Sequence, residues 1–106
     1  MALMKMPCAV GTGGIDTDYK TAVLGGSTWV DVTCGFSPSL CYMTYLESGT
    51  TYIIKFDIAN SKVYQKVNNT ENDVTSSWLN SVVKSITNGV SAKFSSSNTT
   101  CVIFIG

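Results

Sequence analysis

An all-β domain, a small antiparallel β-sandwich, is the fold class that the sequence predicts, and three observations predict it. From Tyr19 onward, short runs of β-branched and aromatic residues alternate with clusters of glycine, serine and asparagine. Within these runs apolar side chains fall two apart, the period of a half-buried strand. A chain of 106 residues has room for one core only, since folding at this size removes about 65% of the unfolded surface from water. The domain is expected over 15–106. Residues 1–14 form an extended or flexible lead-in, whose Gly11-Thr12-Gly13-Gly14 lacks the Gly-Lys-Ser/Thr ending and the following helix of a phosphate loop.

The first expected strand is Tyr19 to Leu24, closed by Gly25-Gly26. Thr28 to Cys34 alternates, with Val30, Val32 and Cys34 on one face and Trp29, Asp31 and Thr33 on the other. Gly35-Phe36-Ser37-Pro38 breaks the chain. Ser39 to Tyr45 then has no polar face, which predicts a strand covered on both sides. After the Glu47-Ser48-Gly49 turn, Tyr52, Ile54, Phe56 and Ile58 oppose Thr51, Ile53, Lys55 and Asp57. Ala59-Asn60-Ser61 leads to Lys62–Val67, completing a hairpin. Residues 68–77 are polar, carry no strand signal and read as the longest loop.

Trp78, Leu79, Val82, Val83 and Ile86 have helical spacing, yet Asn88-Gly89 between β-prone segments is a strong hairpin signal. The hairpin reading takes 83–95, setting Val83 across from Phe94 and Lys84 across from Lys93, with room for one short helical turn near Trp78. Ser95-Ser96-Ser97-Asn98 makes the last turn. Thr99 to Ile105, apolar on both faces, is expected to be central and buried.

Apolar residues make up 44% of the chain and charged residues 13%, a globular balance. Seven lysines cancel seven acids and arginine is absent, which argues against nucleic acid and against anionic membranes as partners. No run approaches the roughly 18 apolar residues of a membrane span, and Met1 to Pro7 does not resemble a signal peptide. Synthesis in a cytosol follows as the expectation, with free thiols at Cys8, Cys34, Cys41 and Cys101. No pair has C-x-x-C spacing and histidine is absent, so neither a metal nor any other cofactor is expected.

General acid–base work needs carboxylates or a tuned base in a cleft, whereas most of the seven acids fall in turns or on exposed strand faces. Asp16-Thr17-Asp18 lacks the central glycine and terminal acid of an EF-hand loop. Cys34, Cys41 and Cys101 fall on apolar faces without a histidine base, which suits small core residues better than nucleophiles. The sequence therefore predicts no enzyme. The tryptophans are the stronger lead: Trp29 shares its face with Asp31 and Thr33, so its ring is exposed unless another strand, the lead-in or a partner covers it. The sequons at Asn68 and Asn98 carry little weight without a secretory signal.

Four motifs occur in a telling order: Val32-Thr33-Cys34-Gly35-Phe36-Ser37-Pro38, Leu40 to Tyr45, Ile86-Thr87-Asn88-Gly89-Val90, and Cys101-Val102-Ile103-Phe104-Ile105-Gly106. In this the chain resembles the small terminal domains of bacteriophage tail-fibre and receptor-binding proteins, especially in phages of Gram-positive gut bacteria. The likeness covers about three quarters of the chain. Val90 stands where an aromatic is usual, and Ser37 and Ser39 replace frequent lysines. The resemblance implies a β-sandwich that assembles with copies of itself, often as a trimer, and with neighbouring virion proteins. It would be made in the bacterial host's cytoplasm and carried on the virion. On that reading the surface meeting a host glycan is Asn68, Asn69, Glu71, Asn72 and Asp73 with Trp78 beside them, and Trp29 is a second candidate. A capsid decoration or head-fibre protein, and a non-viral carbohydrate-binding module, are the alternative functions.

Overall fold

The computed structural model describes residues 16–106 apart from 25, 27 and 95–98. The expected lead-in with Cys8, the closing Gly25 and the turn over 95–98 lie outside the described residues. The elements in chain order are β1 (Thr17–Val23), β2 (Val30–Thr33), β3 (Leu40–Glu47), β4 (Thr50–Asp57), β5 (Lys62–Val67), β6 (Thr70–Asp73), a helical turn α1 (Thr75–Trp78), β7 (Val83–Ile86), β8 (Gly89–Ala92) and β9 (Thr99–Ile105). They make a six-stranded sheet, β1-β9-β3-β4-β5-β6, and a three-stranded sheet, β2-β8-β7. Every pairing between them is antiparallel. This is the all-β, sandwich-like fold with one short helical turn that the sequence predicts.

Side-chain alternation puts two apolar rows on the inner face of the large sheet. Phe104, Cys41, Phe56 and Val63 form one, and Val102, Met43 and Ile54 the other. All are buried, as are Val32, Val83, Val90 and Ala92 from the small sheet. Each buried valine, isoleucine, methionine or phenylalanine among them contributes about 1.5–3 kcal/mol by leaving water. Leu24 and Phe94 join the same cluster from just beyond β1 and β8. There the Phe94 N–H donates to the Leu24 carbonyl at 2.8 Å and the Gly26 N–H to the Phe94 carbonyl at 3.0 Å, joining the two sheets at one corner.

Three expectations need correction. Residues 68–77 are not one loop: Asn68 and Asn69 make a two-residue turn with φ of 50° and 64°, and β6 pairs with β5 from Val67↔Thr70 to Tyr64↔Asp73. Positive φ at both corners is the demand of a tight hairpin, and asparagine meets it at small steric cost. All four β6 residues are exposed, so no apolar alternation announces the strand. The last hairpin is also displaced, with Val83 opposite Ala92, Lys84 opposite Ser91, and Thr87 and Asn88 at the corners. Gly89 belongs to the strand, not the turn, pairing with Thr33 and Ile86, and the position calls for glycine because a Cβ there would collide with the Val32 carbonyl oxygen across in β2. Finally, β3 and β9 are central but, among the described residues, covered on one face only. Ile103 and Leu46 point to the outer face and are 39% and 49% exposed.

The close approach at Gly89 predicts that Gly89→Ala destabilises the domain by about 1–3 kcal/mol through overpacking against β2. A urea denaturation midpoint lowered at unchanged slope would register it.

Candidate functional site

Val30 and Val32 point inward from β2, which leaves Trp29 and Asp31 on the outer face of the small sheet. β8 and β7 bring lysines to the same face. Lys84 Nζ lies 4.3 Å from the Trp29 ring centroid and Lys93 Nζ 4.8 Å, so the ring is half-buried under two ammonium groups. Each contact is worth about 0.5–1 kcal/mol at an exposed site. Lys84 and Lys93 thus do converge, over an indole rather than as a cross-strand pair. Beside them the Ser91 hydroxyl, wholly buried, donates to Asp31 Oδ1 at 2.7 Å and fixes that carboxylate. Two cations against one anion leave the patch net positive, with an aromatic plane at its centre.

The residues expected at 68–73 stand at the far edge of the other sheet. Asn68 and Asn69 form the hairpin tip, and Asn72 is exposed on β6. Glu71 meets Lys55 at 3.5 Å, and Lys55 Nζ also lies 4.8 Å from the Tyr64 ring centroid. Such surface pairs contribute little. Asp73 Oδ1 accepts the Thr75 N–H at 2.9 Å. Hydrogen bonding from Thr75, side chain first and then backbone, holds the Asp73 carboxyl below the usual carboxylate range. Thr75 Oγ1 in turn accepts the Val63 N–H at 2.9 Å, continuing the edge of β5 where β6 ends.

Trp78 does not join this hairpin surface. Its half-buried ring packs against Phe94, centroids 5.8 Å apart at 50°, and it lies against the core cluster. Trp29 is on the other sheet, so the sequence-predicted residues form two separate surfaces. Around Trp29 the sequence reading passed over Lys84, Lys93 and Ser91 as site residues. The signal was partial: outward parity of Trp29 and Asp31 was readable, but the pairing of β2 with β8, which brings the Trp29 end of β2 beside Lys93, was not.

Cys34, Cys41 and Cys101 are free thiols. Cys41 is in the core, where burial, and then the proximity of Cys34, pushes its thiol up to about 12. Cys101 instead lies on the outer face of β9, and its sulfur accepts the Tyr19 hydroxyl at 3.2 Å. The hydrogen bond to Cys101 raises the Tyr19 phenol above its ordinary value. Among the described residues no three acids or cysteines are grouped to hold a metal ion, no concave pocket opens on the surface, and no helix is long and apolar enough to cross a membrane. Comparison with family models, curated proteins and solved structures returned no match to this chain.

Two outcomes follow. At pH 8 a maleimide should modify Cys101 and Cys34 well before Cys41, as read by peptide mass mapping. A folded-state pKa below the unfolded value means that Asp73 adds stability above the unfolded pKa and loses it as pH falls through the folded one. Asp73→Ala should therefore lower the urea midpoint at pH 7, with the gap from the parent protein closing on acidification.

Proposed function

We propose that this chain is a structural protein of a bacteriophage virion, a tail or fibre-tip module that takes part in host attachment. The observation that carries the attachment role is the Trp29 patch. Lys84 and Lys93, held over the indole, attract anionic groups, Asp31 accepts hydroxyl hydrogens, and the part of the indole still exposed offers apolar surface to a sugar ring. The patch is open rather than concave, so one copy binds weakly, and many copies on one particle raise the affinity by avidity. The motif order from Val32 to Gly106 supports the viral origin. The second reading, a capsid decoration or head-fibre subunit, is favoured by the apolar outer face of the large sheet, which suits a protein neighbour.

Sedimentation of the purified full chain with bacterial envelopes separates these readings. Attachment predicts co-sedimentation that Trp29→Ala weakens about tenfold, the scale of a lost aromatic anchor. Trp78→Ala should instead lower thermal stability, because that ring packs on Phe94. Absence of envelope binding together with association to phage heads would assign decoration. Binding to a glycan array, abolished by Trp29→Ala and unaccompanied by association with any virion, would assign a carbohydrate-binding module.

A further inference from the structure

We infer that a second copy of this chain packs against the outer face of the six-stranded sheet. The inference rests on the fold and is independent of the attachment reading. Among the described residues, the large apolar side chains left exposed are Tyr19 (58%), Val23 (53%), Leu46 (49%), Ile53 (37%) and Ile103 (39%). The strand register places all of them on this one face. Tyr19 is directly opposite Ile103, and Ile103 opposite Tyr42. One row further along, Cys101, Thr44 and Ile53 follow one another across β9, β3 and β4. Single exposed apolar residues are ordinary on a protein surface, whereas a contiguous set on one sheet face marks an interaction site.

The chemistry of the face selects its occupant. β1 and β3 direct no charged side chain outward, and β9 contains none. Charges begin only at β4 and continue with Lys66 on β5 and Glu71 on β6. A nucleic acid or an anionic lipid surface would bring charge to the apolar half with nothing to neutralise it. The face of another copy brings the same uncharged aromatic and aliphatic surface, and a chain of net charge zero meets no long-range repulsion from itself.

A two-fold axis running across the strands sets β9 over its counterpart and β5 over its counterpart. Apolar half then meets apolar half, while the flank of Lys55, Lys66, Glu71 and Asp73 carries both signs and so pairs with itself. The extent suits such a contact: strands of four to eight residues, rising about 3.3 Å per residue and spaced about 4.8 Å apart, present roughly 600 Å² per copy, at the lower end of the range for a stable interface.

Sedimentation velocity and light scattering on the full chain, from about 1 to 100 µM, test the inference. The expected result is reversible association to a mass of at least two chains. Ile103→Lys and Leu46→Lys should each weaken it at least tenfold with unchanged far-ultraviolet circular dichroism. Val23→Lys, at the end of the edge strand β1, supplies a variant in which a central strand is not at risk. Cys101 gives a second readout, since its alkylation should quicken on dilution of the parent protein and in Val23→Lys. A parent protein that stays monomeric throughout, or an oligomer indifferent to all three substitutions, would overturn the inference. The former result would point to cover of the face within one chain, for which residues 1–15 are the available segment. Failure of envelope binding leaves this result untouched, so the two claims fall separately.

Discussion

Leu24 and Phe94 meet backbone to backbone at the corner where the chain leaves the large sheet, and both side chains turn into the core. Face-to-face packing of two sheets requires that their inner rows be held at a fixed spacing, about 10 Å. This junction ties the first residue after β1 to the second after β8, so the small sheet cannot slide without breaking main-chain hydrogen bonds. The Phe104, Cys41, Phe56 and Val63 row then has a fixed opposing surface in Val32, Val90 and Val83. Trp78 depends on the same junction, since its ring rests on Phe94. The exposed chemistry is a consequence of the arrangement: with valines drawn inward from β2, Trp29 and Asp31 are left on the outside.

Strands with a clean period of two were legible from residues alone. Val30 and Val32, and Ile54 and Phe56, point where alternation requires, because burial of one face leaves a strong pattern in the letters. Doubly apolar strands were harder to read. Leu40 to Leu46 and Cys101 to Ile105 look alike on both faces, and a chain cannot record which face its own fold covers and which it leaves to water or to a partner. Cys101 shows the ambiguity most plainly, apolar by neighbourhood yet bonded to Tyr19 on the outside.

The errors of register have a different origin. Asn88-Gly89 and Asn68-Asn69 are both turn-like dipeptides, but only the second sits wholly in a turn. Gly89 instead pairs within the small sheet, against a Val32 carbonyl that lies far away in sequence, and no local pattern encodes that approach. The company that Trp29 keeps comes from the pairing of β2 with β8. Half of the candidate site was thus readable, namely the outward aromatic and its carboxylate neighbour, and the lysines became part of it only through tertiary pairing.

The rims of the large sheet have a bearing on how such a molecule behaves in quantity. β6, at one rim, exposes all four of its residues, including Glu71 and Asp73, and β1, at the other, carries the Asp18–Lys20 ion pair. A neighbouring strand that sought to extend the hydrogen-bond ladder sideways would have to strip water from these charges. Lateral growth into an endless ribbon is therefore disfavoured at both ends. Under crowding, the charged rims of this sheet thus disfavour ladder extension, and its uncharged outer face is the easier surface for a neighbour to meet.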